Sequence, residues 1–198
     1  MEQTEKLILA SASPRRRELL AQVGYLFEVL TVPVEENLPR TLPPEEYAMR
    51  TAEKKARAVM DRAGDGRTVL AADTVVVHRG EILGKPRDAE DAARTLRRLA
   101  GGRHEVITGC ALGRGTRIAL FFERTYVWMR ALSDGEIAAY VKTGEPLDKA
   151  GSYGIQGRGA LLVERIEGDY FNVVGLPLCR VGHGDGRPYQ RDDALGDH

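Results

Sequence analysis

The pattern of hydrophobic and polar positions near the start of the chain predicts a short buried strand followed by a helix. The strand comprises the apolar run 7–10, which leads into a serine-rich turn. Ser13 stands at the expected N-cap, and Pro14 occupies the first helical position, where its missing N–H costs nothing. Leu19 and Leu20 are spaced to turn inward. The chain therefore opens with a strand–turn–helix unit.

Three later segments have helical patterns. In the segment 43–63, Ala48, Ala52 and Val59 share one face with Lys55. A lysine at such a position either reaches solvent along its aliphatic stem or points into a ligand cleft, and both interpretations stay open. The other two helices are expected at 88–100 and, behind a capping box of Ser133 and Glu136, up to residue 141.

The segment 68–77 is the most apolar strand-like stretch and carries a single charge, Asp73. Burying an unpaired carboxylate is costly, so Asp73 is expected to end the strand at a cleft, to pair with a cation or to bind a metal. Capping of a turn is the structural alternative. A hairpin turn is predicted at Arg79-Gly80. Other strands are expected at 26–32, 104–112, 118–129 and 160–166, the second and third as an antiparallel ribbon and the last as a buried strand.

Arg15, Arg16 and Arg17 fall in the first turn of the first helix. The helix dipole disfavours cations there by about 0.3–1 kcal/mol each, and adjacent arginines repel one another. Both costs vanish if an anion binds between the free backbone N–H groups and the guanidinium groups. The segment therefore indicates a phosphate or carboxylate ligand, with three solvated arginines on a surface turn as the alternative.

Composition narrows the function classes. The chain has 198 residues with 29 basic and 29 acidic side chains, so no overall field recruits nucleic acid or an anionic membrane. Neither the N-terminus nor any apolar run resembles a signal peptide or a membrane span, and we expect a cytoplasmic protein. Cys110 and Cys179 lie in apolar runs without metal-ligand spacing, which predicts buried, reduced thiols. One domain is expected over 1–182, built as two lobes, with a polar, flexible tail at 183–198.

Several further residues add candidate chemistry. Pro86 forces Lys85 into an extended conformation, which favours an aimed ammonium. Glu36 follows a strand end, as a solvated loop acid or a ligand. Gln156 lies in a loop with four glycines, where it bonds either a ligand amide or its own backbone. The four histidines are interpreted as structural. Together the cations, the acids and the glycine loop are compatible with metal-assisted hydrolysis of a phosphoanhydride.

Five motifs, in order, resemble those of the Maf proteins. They are Ser11-Ala12-Ser13-Pro14-Arg15-Arg16, Ala72-Asp73-Thr74, Gly84-Lys85-Pro86, the run from Asp148 to Gly157, and Gly175-Leu176-Pro177. Maf proteins are nucleoside triphosphate pyrophosphatases with a fold similar to that of inosine triphosphate pyrophosphatases. The resemblance implies a two-lobed α/β fold, with a mixed, bent sheet flanked by helices and the active site in the central cleft. It also implies hydrolysis between the α- and β-phosphates with Mg²⁺ or Mn²⁺, giving a nucleoside monophosphate and pyrophosphate.

The resemblance also assigns roles by position. It makes Asp73 the proton acceptor, with Lys85 and Arg16 as the other catalytic residues, and it makes Glu36 and Asp73 the metal ligands. The substrate-binding residues that it implies are Ser11, Ser13, Arg15, Lys55, Thr74 and Gln156. Of these, Arg15, Thr74 and Gln156 fill the specificity positions in the manner of the branch that hydrolyses dTTP and UTP, with modified pyrimidine nucleotides as further candidates. Gln156 both donates and accepts hydrogen bonds, as a uracil or thymine edge requires.

Two alternatives remain open at this stage. One is the sister branch that prefers 7-methyl-GTP, although its tryptophan after the proline and its glutamine after the catalytic acid are missing here. The other is a non-catalytic regulator of septum formation, a process with which Maf proteins have been associated. The expected partner is a small nucleoside triphosphate, and a homodimer is left open. From Gly182 onward the chain is rich in glycine and charge, where family members often have a helix that would contribute to such a dimer.

Overall fold

A seven-stranded sheet forms the centre of the computed structural model, which describes residues 5–64 and 66–183. Its strands are β1 (Leu7–Leu9), β2 (Phe27–Val29), β3 (Val69–His78), β4 (Glu81–Leu83), β5 (Arg103–Arg114), β6 (Arg117–Met129) and β7 (Val163–Glu167). The helices are α1 (Pro14–Gln22), α2 (Pro44–Ala63), α3 (Ala89–Leu99), α4 (Asp134–Lys142), α5 (Tyr170–Val174) and α6 (Leu178–His183). Three short 3-10 helices lie between α4 and β7, at Glu145–Asp148, Ala150–Ser152 and Gly157–Leu161.

The sheet is mixed, as the family resemblance implies. Its strand order is β2-β1-β3-β5-β6-β7, and β4 pairs with β3. Strand β1 runs parallel to both β2 and β3, while all the other pairs are antiparallel. Helices pack against the sheet, so the predicted α/β fold with a mixed sheet flanked by helices is confirmed.

Strand β3 is the central strand, and successive side chains point to its opposite faces. Leu70 and Ala72 join the apolar cluster that contains the buried leucines of α1, Leu19 and Leu20. Ala71, on the other face, joins the cluster formed with α2. The two helices that carry the predicted cations therefore cover opposite faces of one strand.

Helix α2 lies unusually close to the sheet. Its inward residues include the fully buried Ala48, Ala52 and Ala56, and Gly109 of β5 lies beneath the backbone of Ala48 and Met49. A Cβ atom at Gly109 would lie 2.3 Å from the backbone of Ala48. The small alanines and this glycine together allow the close approach, and Gly109 pairs directly with Asp73 across the sheet.

Several sequence predictions of elements are confirmed. Ser13 caps α1, Asp88 caps α3, and Ser133 with Glu136 forms the capping box of α4. The ribbon of β5 and β6 is present, but both strands extend beyond the predicted limits and meet at a turn of residues 115–116. The strand expected at 26–32 is reduced to the three residues of β2.

Other predictions are wrong. The strand expected to be buried at 160–166 begins only at Val163, and its residues are mostly exposed because β7 is an edge strand. Of the three alternatives left open for Asp73, only the one that ends its strand is excluded, since β3 continues to His78. Cys179 is exposed, while Cys110 is buried as expected. A helix, α6, does follow the Gly-Leu-Pro turn.

The end of the predicted tail lies outside the described residues. The boundary at 182/183 falls within α6, and the tail from 184 onward belongs to the part of the chain that the structure does not describe. Within the described ranges, no helix has both the length and the apolar character needed to cross a membrane.

Candidate active site

All ten residues that the sequence predicts for the site line one cavity of about 780 Å³. They come from the β1–α1 turn, the first turn of α1, the loop before α2, α2 itself, β3, the loop after β4 and the glycine-rich loop. The ten residues are Ser11, Ser13, Arg15, Arg16, Glu36, Lys55, Asp73, Thr74, Lys85 and Gln156. Residues far apart in sequence thus meet at the centre of the sheet.

The guanidinium of Arg16 is held by three neutral oxygen atoms. Its Nε donates to the carbonyl of Gly175 at 2.7 Å, and its terminal nitrogens donate to Ser11 Oγ at 3.2 Å and Thr74 Oγ1 at 3.0 Å. The motifs at both ends of the chain therefore fix this side chain. Because its acceptors carry no charge, its positive charge remains to attract an anion.

Thr74 belongs to a chain of hydroxyl groups that the sequence did not reveal. Its Oγ1 lies 2.8 Å from Oγ1 of Thr108, which in turn donates to the carbonyl of Asn172 at 3.1 Å. The Asn172 amide also donates to Thr125 Oγ1 at 3.0 Å. This buried network connects β3, β5, β6 and α5, so it fixes the Thr74 hydroxyl that receives Arg16.

On the opposite face of β3, Lys55 of α2 reaches into the cavity rather than to bulk solvent. Its Nζ lies 2.9 Å from Glu36 Oε1 and 3.3 Å from Asp73 Oδ1. The side chain of Asp73 is only 16% exposed, whereas that of Glu36 is 52% exposed. Of the alternatives for Asp73, pairing with a cation is what the structure shows.

The pKa values of the two carboxyl groups, Glu36 and Asp73, are shifted in opposite directions. The hydrogen bond from Lys55 holds the pKa of Glu36 below its usual value. Burial raises the pKa of Asp73, and this effect exceeds the attraction of Lys55 and Arg16. A carboxylate that is ionised against the cost of burial accepts a proton more readily than an exposed one. Burial also lowers the pKa of Arg16.

The predicted lysine and glutamine lie at the rim of the cavity. Lys85 is exposed. Its charge lowers the pKa of Glu36, so the two groups are close enough to interact electrostatically. Gln156 is exposed at the tip of the glycine-rich loop. Its exposure favours the interpretation that its amide meets a ligand. Arg15 lies across from Asp148, and its charge lowers the pKa of that carboxyl after the larger effect of Lys149.

Sequence reasoning assigned no role to several polar residues that line the cavity, among them Arg40, Glu145 and Lys149. Arg40 donates to the carbonyl of Ile82 at 3.1 Å, and Glu145 and Lys149 belong to the segment around the glycine-rich loop. Arg40 lies in a turn without periodic pattern, so no spacing signalled it. Glu145 stands beside a recognised motif and could have been noticed from that position.

The carboxylates fit a divalent cation. Glu36 and Asp73 already direct oxygen atoms at one positive group, the Lys55 ammonium, from two different segments. Among residues 5–64 and 66–183, no group of three or more His, Cys, Asp or Glu side chains could hold a metal ion. Two carboxylates suit Mg²⁺ when water and substrate phosphates complete its coordination, which is its usual manner of binding in such enzymes.

The histidines of the described chain remain structural. His104 is buried, with Nε2 at 2.5 Å from the Tyr153 hydroxyl, and burial lowers the pKa of His104 to about 4. His78 and His183 do not line the cavity. His198 lies outside the described residues.

The sequence of this chain is similar to those of known proteins. A family model described as Maf-like protein matches residues 6–183. A dTTP/UTP pyrophosphatase of Geobacillus sp. (strain WCH70) is 50% identical over 177 residues, covering 89% of this chain and 95% of the relative. A dTTP/UTP pyrophosphatase of Moorella thermoacetica is 54% identical over 178 residues, covering 89% and 91%.

Solved structures are more distant. The Staphylococcus aureus Ham1 protein has a TM-score of 0.43 and 15% identity, covering 63% of this chain and 72% of its own. That similarity is too low to carry an argument about function. The family match extends over almost the whole described chain, and its motifs form the cavity, so the chain belongs to the Maf-like protein family.

Proposed function

We propose that this protein hydrolyses dTTP and UTP to the nucleoside monophosphate and pyrophosphate. The observation that carries the proposal is the meeting of Arg16, Lys55 and Lys85 around the nearly buried Asp73 in one cavity. Relatives of about half identical sequence bear the name dTTP/UTP pyrophosphatase. A phosphoanhydride is the substrate class that such a set of cations suits.

In the proposed reaction, a water oxygen attacks the α-phosphorus while Asp73 takes a proton from that water molecule. The bond between that phosphorus and the oxygen bridging to the β-phosphate breaks, and pyrophosphate leaves with the bonding electrons. Arg16 and Lys85 bind the phosphate oxygens and stabilise the charge that develops on them. Ser11 and Ser13 lie at the start of α1, where hydroxyl and backbone donors also suit phosphate oxygens.

Glu36 and Asp73 would hold the divalent cation, which would supply positive charge to shield the charge of the phosphates. Lys55 then serves two purposes in the proposal. Without nucleotide its ammonium pairs with both carboxylates. With nucleotide it is close enough to the cavity to contact a phosphate oxygen instead.

Base selection in the proposal belongs to Gln156, assisted by Arg15 and Thr74. A side-chain amide offers one donor and one acceptor, which complement the O4 and N3–H of thymine and uracil. Thr74 is already engaged by Arg16, so its contribution is to hold that guanidinium. Arg15 is not bound in this way and remains available to the base or to a phosphate.

The test is a comparison of dTTP, UTP, dCTP and 7-methyl-GTP, with pyrophosphate release measured in the presence and absence of Mg²⁺. We expect the highest kcat/KM for dTTP and UTP and little release without metal. A preference for 7-methyl-GTP would assign the chain to the sister branch. Absence of release from all four nucleotides would leave only the regulatory alternative.

A further inference from the structure

Two side chains from outside the glycine-rich loop, those of Glu145 and Tyr140, accept hydrogen bonds from its backbone. Glu145, in the first 3-10 helix, accepts hydrogen bonds from the backbone N–H of Arg158 at 3.2 Å and of Gly159 at 3.0 Å. Tyr140, in α4, accepts one from the backbone N–H of Gly154 at 3.2 Å. These amides lie on both sides of Gln156, two and three residues away from it.

The two side chains form one unit. The Tyr140 hydroxyl donates to Glu145 Oε1 at 2.8 Å, so each group orients the other. Burial raises the pKa of Tyr140, which keeps the hydroxyl proton available for donation. The three groups that donate to the Glu145 carboxylate are all neutral, and they satisfy both of its oxygens.

The ends of the loop are pressed together where this unit holds them. A Cβ atom at Gly159 would lie 1.7 Å from the carbonyl oxygen of Gly154 and 2.9 Å from the Tyr140 hydroxyl. Only glycine fits there, so the segment 154–159 is a tight loop with its ends in contact. Gln156 stands exposed at the tip of that loop and lines the cavity.

We infer that Glu145 and Tyr140 are positioning residues for base selection, which act by fixing the backbone that carries Gln156. The inference rests on the proposed function, because it assumes that Gln156 contacts the base. Neither side chain needs to touch the nucleotide. A glutamine on a free loop would present its amide in many orientations, and the fixed backbone removes most of them before the nucleotide binds.

The variants Glu145→Gln and Tyr140→Phe test this inference with little change in shape. Glu145→Gln replaces one carboxylate oxygen by an amide nitrogen, which cannot accept a backbone N–H. Tyr140→Phe removes the acceptor of the Gly154 N–H and the donor to Glu145. Glu164→Gln is the matched control, because it removes one carboxylate charge from an exposed position of β7.

The readouts separate the base from the phosphates. The ratio of kcat/KM for dTTP to that for dCTP reports base selection, and inhibition by pyrophosphate reports phosphate binding. We expect the ratio to fall about 3- to 10-fold in both variants, since each loses hydrogen bonds of ordinary strength. The inhibition constant of pyrophosphate is expected to change less than about 2-fold. Glu164→Gln should match the wild type in both readouts.

A double-mutant comparison then tests whether the effect passes through Gln156. In a Gln156→Ala background, Glu145→Gln should lower the dTTP/dCTP ratio no further, because the residue that it positions is gone. A further loss equal to that in the parent chain would overturn the inference, as would an unchanged ratio in both single variants. If the wild type itself shows no preference for dTTP over dCTP, it is the proposed base assignment that fails.

Discussion

Asp73 and Glu36 contact the same ammonium, yet their different exposure gives them different properties. Glu36 is half exposed, and its hydrogen bond with Lys55 favours the ionised form. Asp73 is nearly buried, and the cost of burying its charge exceeds the benefit of the same neighbour. At the scale of single residues the site therefore contains one carboxylate suited to hold a cation and one suited to accept a proton.

Asp73→Asn should abolish most activity without loss of stability. Turnover of dTTP is expected to fall by roughly two to four orders of magnitude, because the variant lacks the proposed proton acceptor. The pKa of Asp73 is raised in the folded protein, so at a pH above that pKa its buried charge lowers the free energy of unfolding. The neutral amide of asparagine carries no such charge and removes this cost. Thermal unfolding at pH 8 should give a melting temperature no lower than that of the wild type.

Asp61→Asn, at an exposed position near the end of α2, is the control for that experiment. It should keep wild-type turnover. A marked drop in the melting temperature of Asp73→Asn would show that the ion pair with Lys55 outweighs the cost of burial, contrary to the expectation.

Lys55→Gln should move the acid limb of the pH–activity profile to higher pH. The Lys55 charge lowers the pKa of Asp73, so its removal raises that pKa further and leaves the residue protonated at a pH where the wild type is active. The profile of kcat/KM for dTTP between pH 5 and 9 measures the shift. Lys54→Gln is the matched control, since Lys54 instead donates to Asn37 Oδ1 at 2.8 Å. An unshifted limb in Lys55→Gln would argue that another group controls it.

The ten residues predicted for the site were located through the family resemblance, and their roles stay predictions. All ten line one cavity. Neither periodicity nor charge alone could have selected them together from so many parts of the chain. Arg40, Tyr140 and Glu145 are among the residues to which sequence reasoning assigned no role, and they contact the backbone of other segments. Such contacts depend on tertiary distances that a linear pattern does not contain.

At the scale of elements, the approach of α2 to the sheet determines whether Lys55 reaches Asp73. Lys55 lies on the same face of α2 as the buried Ala52 and Val59, and Gly109 lies beneath the start of that helix. The helix was predicted from its spacing, but the closeness of its packing was not, because it depends on a glycine in a strand far along the chain. The limits of β2 and β7 were less well predicted, since strand ends depend on neighbouring strands.

Gly109→Ala should disturb the site as well as the fold. The added methyl group would lie 2.3 Å from the backbone of α2, which must move away and carry Lys55 with it. We expect a loss of about 1–3 kcal/mol in the free energy of unfolding, typical of overpacking, and a lower kcat for dTTP. Urea denaturation and steady-state kinetics measure the two effects.

Gly135→Ala provides the comparison, because a Cβ there meets only Ser133 Oγ at 3.8 Å within α4. It is expected to stabilise the protein by about 0.5–1 kcal/mol with unchanged kcat. Wild-type stability in Gly109→Ala would mean that α2 can shift without cost, and the close packing would then be unimportant.

At the scale of the whole molecule, the buried His104 ties stability to pH. Burial lowers its folded pKa to about 4 from an ordinary value of 6.5. At a pH between 4 and 6.5, His104 is therefore protonated in the unfolded chain but neutral in the folded chain. The free energy of unfolding falls as the pH is lowered through this range. The full contribution amounts to about 3 kcal/mol, at 1.36 kcal/mol per pKa unit.

His104→Gln should reduce this dependence on pH. The free energy of unfolding, measured by urea at pH 7 and pH 4.5, is expected to fall less in the variant than in the wild type, by up to about 3 kcal/mol. Gln retains a hydrogen-bonding group near the Tyr153 hydroxyl but does not titrate. Equal falls in both proteins would show that carboxylates alone produce the acid sensitivity.

The bond from Arg16 to the carbonyl of Gly175 has a consequence for synthesis of the protein. Arg16 emerges early from the ribosome, whereas Gly175 belongs to the last stretch before α6. Until that stretch has been synthesised, the Arg16 guanidinium lacks one of its three acceptors, and only Ser11 and Thr74 can hold it. The full set of contacts around Arg16 therefore forms only after one of the last segments of the described chain has been synthesised.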